Sequence, residues 1–176
     1  MNCLKFIFYR FFILCLISFC LSDENPFINQ QPDNLLYKVE VGINSITKIS
    51  NDEYIITVYA INPYNPIAGI QFGIQPSDLF EVIDVYGGRS QEKDFEIHFN
   101  KTGTVLGFSM VANTIDISNI VSGPNKLESN IILNIKAKAN KLDSYNLESL
   151  INFDCVFASK KGEVLETKFI PFKLSD

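Results

Sequence analysis

The chain has 176 residues, 47% of them apolar and 20% charged, with a formal net charge of −5. That length suits one globular core, and the composition excludes wholesale disorder, collagen-like repeats and low-complexity fibres. The acidic balance argues against non-specific affinity for nucleic acid or anionic membrane, the single His excludes a multi-His zinc centre, and the absence of Trp removes the commonest sugar-stacking ring.

Residues 1–22 (MNCLKFIFYRFFILCLISFCLS) place Lys5 and Arg10 ahead of a nearly unbroken apolar run from Phe11 to Leu21. The run falls short of the about 20 apolar residues a spanning helix needs, and Cys20 and Ser22 supply small side chains for cleavage before Asp23. A secretory leader is therefore expected, with an extracellular destination and no membrane span once it is removed. Its removal takes three of the four cysteines and leaves Cys155 without an intramolecular partner, so stability must come from an apolar core. Residues 23–34 (DENPFINQQPDN), polar and with two prolines, read as a flexible lead-in. A single domain is expected over 35–176.

Within that domain the dominant period is two. Tyr37, Val39, Val41 and Ile43 alternate with Lys38, Glu40, Gly42 and Asn44. Tyr54–Ile61 and Ile67–Ile74 are apolar on both phases and suit central strands buried on both sides. Leu79–Tyr86 carries Glu81 and Asp84 three apart, which also fits a helical turn, but β-branched residues and Gly87-Gly88 favour a strand. Phe95, Ile97 and Phe99 alternate with Asp94, Glu96 and His98. Further strands are expected over Ile131–Ala139, Ile151–Phe157 and Leu165–Phe169, and a short helix within 141–150. Asn62-Pro63-Tyr64-Asn65-Pro66, Asn100-Lys101-Thr102-Gly103, Ser122-Gly123-Pro124-Asn125 and Lys160-Lys161-Gly162 separate them with turn chemistry. Eight or nine short strands spaced this way imply an antiparallel two-sheet β-sandwich.

The strand YIITVYAIN from Tyr54 is followed by Ala68-Gly69-Ile70-Gln71-Phe72-Gly73-Ile74 and then Leu79-Phe80-Glu81-Val82-Ile83-Asp84-Val85. A glycine pair, then Gly103-Thr104-Val105-Leu106-Gly107-Phe108-Ser109-Met110 and Ile131–Ala137, complete an order that resembles a cohesin-type domain, the nine-stranded jelly-roll sandwich of secreted scaffold proteins. The resemblance implies a non-catalytic binding or scaffold module holding a secreted or surface protein partner, with no cofactor. It rests on core residues and glycines, which specify a fold better than an activity. Gln75-Pro76-Ser77-Asp78 departs from the Tyr-Asp-Pro-like corner usual in that family. No dockerin-like calcium loop (Asp-x-Asn-x-Asp-Gly) occurs in the chain, so any such partner must be another protein.

Several residues are candidates for chemistry. His98 lies on the polar phase of its strand with no second His to act beside it. Cys155 shares its phase with Phe153 and Phe157 and reads as a buried apolar residue. The acidic residues are scattered; Asn51, Asp52 and Asp94 offer hard oxygen ligands for a weak Ca²⁺ site. Asn100-Lys101-Thr102 is an N-x-[ST] sequon in a hairpin loop, which makes Asn100 a glycosylation candidate. Tyr59, Tyr64 and Tyr86 are candidate rings near strand ends or faces for stacking a sugar. Arg89, in the loop Gly87–Asp94 that reads as mobile, is a candidate recognition residue with Tyr64 and Tyr86.

Three functions follow: a protein-binding module, a carbohydrate-binding module as the runner-up, and a small glycan hydrolase, disfavoured by the missing nucleophile motif. An exposed apolar sheet face distinguishes the first, a ring-lined groove the second, and two close carboxylates in a cleft the third.

Overall fold

The period-two segments fold as strands: β1 (Val39–Lys48), β2 (Glu53–Ile61), β3 (Gly69–Gln75), β4 (Phe80–Tyr86), β5 (Glu96–Phe99), β6 (Thr104–Phe108), β7 (Ile131–Ala139), β8 (Asn152–Ala158), β9 (Val164–Leu165) and β10 (Thr167–Ile170). Helix α1 (Gly88–Glu92) lies between β4 and β5, and a 3₁₀ turn over Glu128–Asn130 precedes β7. The structure, a computed structural model, describes residues 39–75, 77, 80–139 and 151–172. The expected leader, the lead-in and the helix within 141–150 lie outside these residues.

Two five-stranded sheets result, in the orders β10-β1-β2-β7-β4 and β5-β6-β3-β8-β9. Their inner faces build the core. Val41, Ile56, Val58 and Ile135 from the first sheet and Ile70, Phe72, Ile74 and Phe157 from the second are at most 1% exposed. Phe72 packs edge-on against Phe157, with ring centroids 5.6 Å apart, and obliquely against Phe153 at 5.7 Å. The β-sandwich expected from the alternation is the fold observed.

Where alternation fails, a bulge or a change of sheet explains it. In β1 the inward phase is odd through Ile43 and then even at Ile46, because the register against β2 shifts between Ile43 and Ser45. β4 carries a second bulge between Val82 and Asp84 against β7. The extra residue, Ile83, breaks the strict period of two, so Glu81 and Asp84 sit three apart within a strand.

The stretch Leu165–Phe169, expected as one strand, is two. Leu165 ends β9 in the second sheet, and Thr167 opens β10 in the first, with Glu166 at the crossing. This split makes ten strands rather than nine. It also adds a parallel pair, since β10 runs alongside β1 from Val39↔Thr167 to Gly42↔Ile170. The sheets are otherwise antiparallel.

Two burial expectations need correction. β3 is central in its sheet but not buried on both sides, because Gln71 and Gln75 face solvent. Of the triplet at β5, Phe95 is buried and Ile97 half-buried, but Phe99 is 40% exposed. β5 is an edge strand, flanked only by β6, so the ring at its end is covered from one side alone.

Candidate functional site

The two sheets present chemically different outer faces. On the first, β2 and β7 pair Glu53 with Lys138, Ile55 with Lys136 and Thr57 with Asn134. Ion pairs cover its centre, Lys136–Glu53 at 3.1 Å and Lys138–Asp52 at 3.0 Å, with Lys101–Glu81 at 2.8 Å on β4, where Ile83 and Tyr86 stay exposed. Hydrogen bonds donated by Lys138 and Lys101 hold the Asp52 and Glu81 carboxyls below their ordinary range, and both ammonium groups are raised in turn. Thr57 Oγ1 donates to Asn134 Oδ1 at 3.0 Å.

On the second sheet the register aligns one outward row of His98, Leu106, Gln71 and Val156. A second row holds Glu96, Phe108, Gly69, Ala158 and Val164, and a third Thr104, Gly73 and Asp154. Leu106 is 42% exposed, Val156 39% and Val164 69%. The middle strand contributes glycines that packing does not require: a Cβ on Gly69 or Gly73 would meet its nearest neighbour at 3.5 or 3.7 Å, ordinary contact distances. Along β3, this face is therefore bare backbone at Gly69 and Gly73 on either side of the exposed Gln71. The His98 ring stacks on Phe108, 22° from parallel with centroids 5.7 Å apart, and its Nε2 lies 3.8 Å from Glu96 Oε2.

Arg89 does not lie in an open loop. The Gly87–Asp94 segment, expected to be mobile, contains α1, and the Arg89 guanidinium donates into the protein. Nη1 reaches Ala60 O at 3.0 Å, Asn130 Oδ1 at 3.2 Å and Ser118 Oγ at 3.3 Å, and Nη2 reaches Asn62 Oδ1 at 3.1 Å and the Asp116 carbonyl. Asn62, Ser118 and Asn130 are themselves buried. Asn62 Nδ2 donates to Asn65 O and Asp116 O, and Asn130 Nδ2 to Ile120 O and Lys126 O. The network ties α1, the end of β2, the 3₁₀ turn and the long β6–β7 connection together. Burial pulls the guanidinium below its ordinary value, with Asp116 and Glu92 opposing. Gly88 at φ +62° lets the helix start against β7; a Cβ there would stand 2.5 Å from the Ile132 backbone.

The other candidates fall apart from one another. Tyr59 is 3% exposed, a core ring rather than a surface one. Tyr64 is 45% exposed in the β2–β3 loop, and Tyr86, 40% exposed, pairs with Asn134 on the first sheet. Cys155 is a half-buried free thiol packed against the core, pushed up to about 12 first by burial and then by Asp154. Asp52 faces Lys138, while Asp94 Oδ2 accepts from Asn113 Nδ2 at 3.4 Å. Among the described residues no three His, Cys, Asp or Glu side chains converge on a point that would hold a metal ion. A surface depression of about 340 Å³ beside Arg89 is lined by Glu92 and Asp116 among others, but Asp116 is ion-paired with Lys93 at 2.6 Å. Asn100 is exposed in the β5–β6 turn. The residues missed in the sequence were Asn62, Ser118 and Asn130, and the outward apolar set at Leu106, Val156 and Val164. Register, not local pattern, brings each set together.

No protein-family model and no curated protein matches the sequence. The fold does match solved structures, and it is the cohesin-type β-sandwich. The cohesin CaCohA2 of Clostridium acetobutylicum, solved in complex with a dockerin, is 14% identical with a TM-score of 0.50, over 75% of this chain and 94% of that one. The third ScaB cohesin of R. flavefaciens, in complex with a group 1 dockerin, is 10% identical with a TM-score of 0.49, over 76% and 91%. A non-cellulosomal cohesin from the archaeon Archaeoglobus fulgidus is 14% identical with a TM-score of 0.46, over 75% and 86%. Among the described residues no helix is long and apolar enough to cross a membrane.

Proposed function

We propose that this chain is a secreted, non-catalytic protein-binding module that docks a partner protein on the outer face of β5, β6, β3 and β8. One observation carries the reading: the register gathers the exposed Leu106, Val156 and Val164 on that face, whereas on the opposite sheet ion pairs cover β2 and β7 and the exposed Ile83 and Tyr86 are confined to the edge strand β4. Exposed apolar side chains on a sheet, around the polar Gln71 and two glycines, favour a flat partner that removes them from water. The fold likeness to a cohesin solved with a dockerin supports a protein partner, and the reading of residues 1–22 as a leader supports secretion. The carbohydrate-binding alternative would use Tyr64 and Tyr86, which sit on different elements with no ring contact to each other.

The test compares the immobilised full chain with Leu106→Glu/Val156→Lys and Tyr64→Ala/Tyr86→Ala, offered proteins and glycans from the organism's own secretions. A protein retained by the parent and by the tyrosine variant, and weakened at least tenfold by the face variant, is the expected result. Undiminished retention by the face variant, or retention of glycans alone, overturns it.

A further inference from the structure

We propose that Asn100 is an N-glycosylation acceptor, taking an oligosaccharide from a lipid-linked diphosphate donor. The sequon Asn100-Lys101-Thr102 occupies the turn from β5 to β6, and all three residues are exposed. A transferase must reach the amide nitrogen and read the hydroxyl two residues on, so both must be at the surface.

The turn is built without that nitrogen. Asn100 N donates to Thr104 O at 3.0 Å, and Gly103 N to Asn100 O at 3.2 Å. Asn100 Oδ1 accepts from Thr102 Oγ1 and from Thr104 N, each at 2.9 Å. Gly103 takes φ +94°, which closes the turn, and its carbonyl accepts from Ile74 N at 3.0 Å. Lys101 O accepts from Val82 N at 3.1 Å. Every one of these bonds uses the backbone, Oδ1 or the Thr102 hydroxyl. Asn100 Nδ2 donates to no acceptor among the described residues.

The buried asparagines are the opposite case. Asn62 and Asn130 each donate two Nδ2 hydrogen bonds to carbonyls, so a substituent there would break the Arg89 network. At Asn100 the exchange of one Nδ2 hydrogen for a sugar breaks nothing and buries nothing. The reaction forms the bond from Nδ2 to the sugar C1 and breaks the bond from C1 to the donor's phosphate oxygen. The lipid diphosphate leaves with that electron pair, and Nδ2 gives up one proton to a base of the transferase. Asn100 lies two residues past His98, just beyond the end of β5, so the glycan leaves the protein from the turn at that end of the sheet.

The test is translation of the full chain with microsomes, alongside Asn100→Gln, Thr102→Ala and Thr102→Ser. A second series places the same chains behind a secretory leader of known efficiency. The parent and Thr102→Ser are expected to gain one glycan, read as a single mobility step that endoglycosidase H removes. Asn100→Gln and Thr102→Ala are expected to gain none. Leu106→Glu is expected to be modified like the parent, because the acceptor is independent of docking. A shift seen only in the second series still supports the acceptor and counts against the native leader. A parent chain that is protected from added protease, and so inside the vesicles, yet unshifted in the second series overturns the proposal.

Discussion

Replacing Arg89 with methionine keeps the length of the side chain and removes its donors. Five oxygens lose a hydrogen bond: Ala60 O, Asp116 O, Asn62 Oδ1, Ser118 Oγ and Asn130 Oδ1. The loss is uneven. Asn62 Oδ1 keeps the Ser118 hydroxyl at 3.1 Å, and Asp116 O keeps Asn62 Nδ2 at 2.9 Å. Asn130 Oδ1, in a residue 1% exposed, is left with no donor from that network. An orphaned buried acceptor costs about 1–3 kcal/mol, and each remaining charge-assisted bond contributes about half as much in a half-exposed site. Removing a partly desolvated cation returns some of this. The net expectation is about 3 kcal/mol of destabilisation, or a Tm lowered by about 6–12 °C at this size. Differential scanning calorimetry of the two purified chains measures it. Arg89→Lys should recover little, because one ammonium cannot serve acceptors spread around a planar fork. A methionine variant melting within about 2 °C of the parent would show that the network is maintained by other groups, and the account of Arg89 as a clamp would fail.

Three further outcomes are expected. Gly107→Ala should lose about 1–3 kcal/mol in urea denaturation, because its Cβ would stand 2.6 Å from Ile97 Cδ1 and 2.7 Å from Ile70 Cγ1, whereas Gly73→Ala should stay within about 0.5 kcal/mol. Iodoacetamide at pH 8 should leave Cys155 unlabelled in the folded chain and label it fully in guanidinium, as read by peptide mass, because burial pushes the thiol up to about 12. Asp52 and Glu81 ionise in the folded chain below their ordinary values, so their pairs stabilise above those values and lose that stability as pH falls through the lowered ones. Lys138 and Lys101 are raised, so the same pairs also weaken as pH climbs past 10.5 through the raised values. Thermal melts from pH 6 to pH 3 should fall more steeply for the parent than for Asp52→Asn/Glu81→Gln, and equal slopes would refute the pairing.

Strand positions were legible because burial on one face writes itself into the chain as a period of two, and β8, and β7 from Leu133 onward, follow it closely. The bulges in β1 and β4 were not, because one inserted residue flips the phase without altering composition. The division of Leu165–Phe169 between sheets was hidden for the same reason: a chain that crosses the sandwich keeps alternating. Arg89 was read as a recognition residue in a mobile loop, since nothing nearby in sequence announces internal acceptors as distant as Asn62, Ser118 and Asn130. The exposed apolar face was invisible, because Leu106 and Val156 lie 50 residues apart and become neighbours only across Gln71. An outward leucine reads like an inward one until register is known.

The parallel pairing of β1 with β10 has a mechanical consequence. The chain enters this pair at Val39 and leaves it at Ile170, and between them run four aligned positions, Val39↔Thr167 to Gly42↔Ile170. Tension applied to the two ends pulls parallel neighbours lengthwise past each other, so their cross-links are strained together. An antiparallel pair gripped at adjacent ends would instead unzip one rung at a time. A domain closed this way resists stretching along its own axis, whatever it is tethered to.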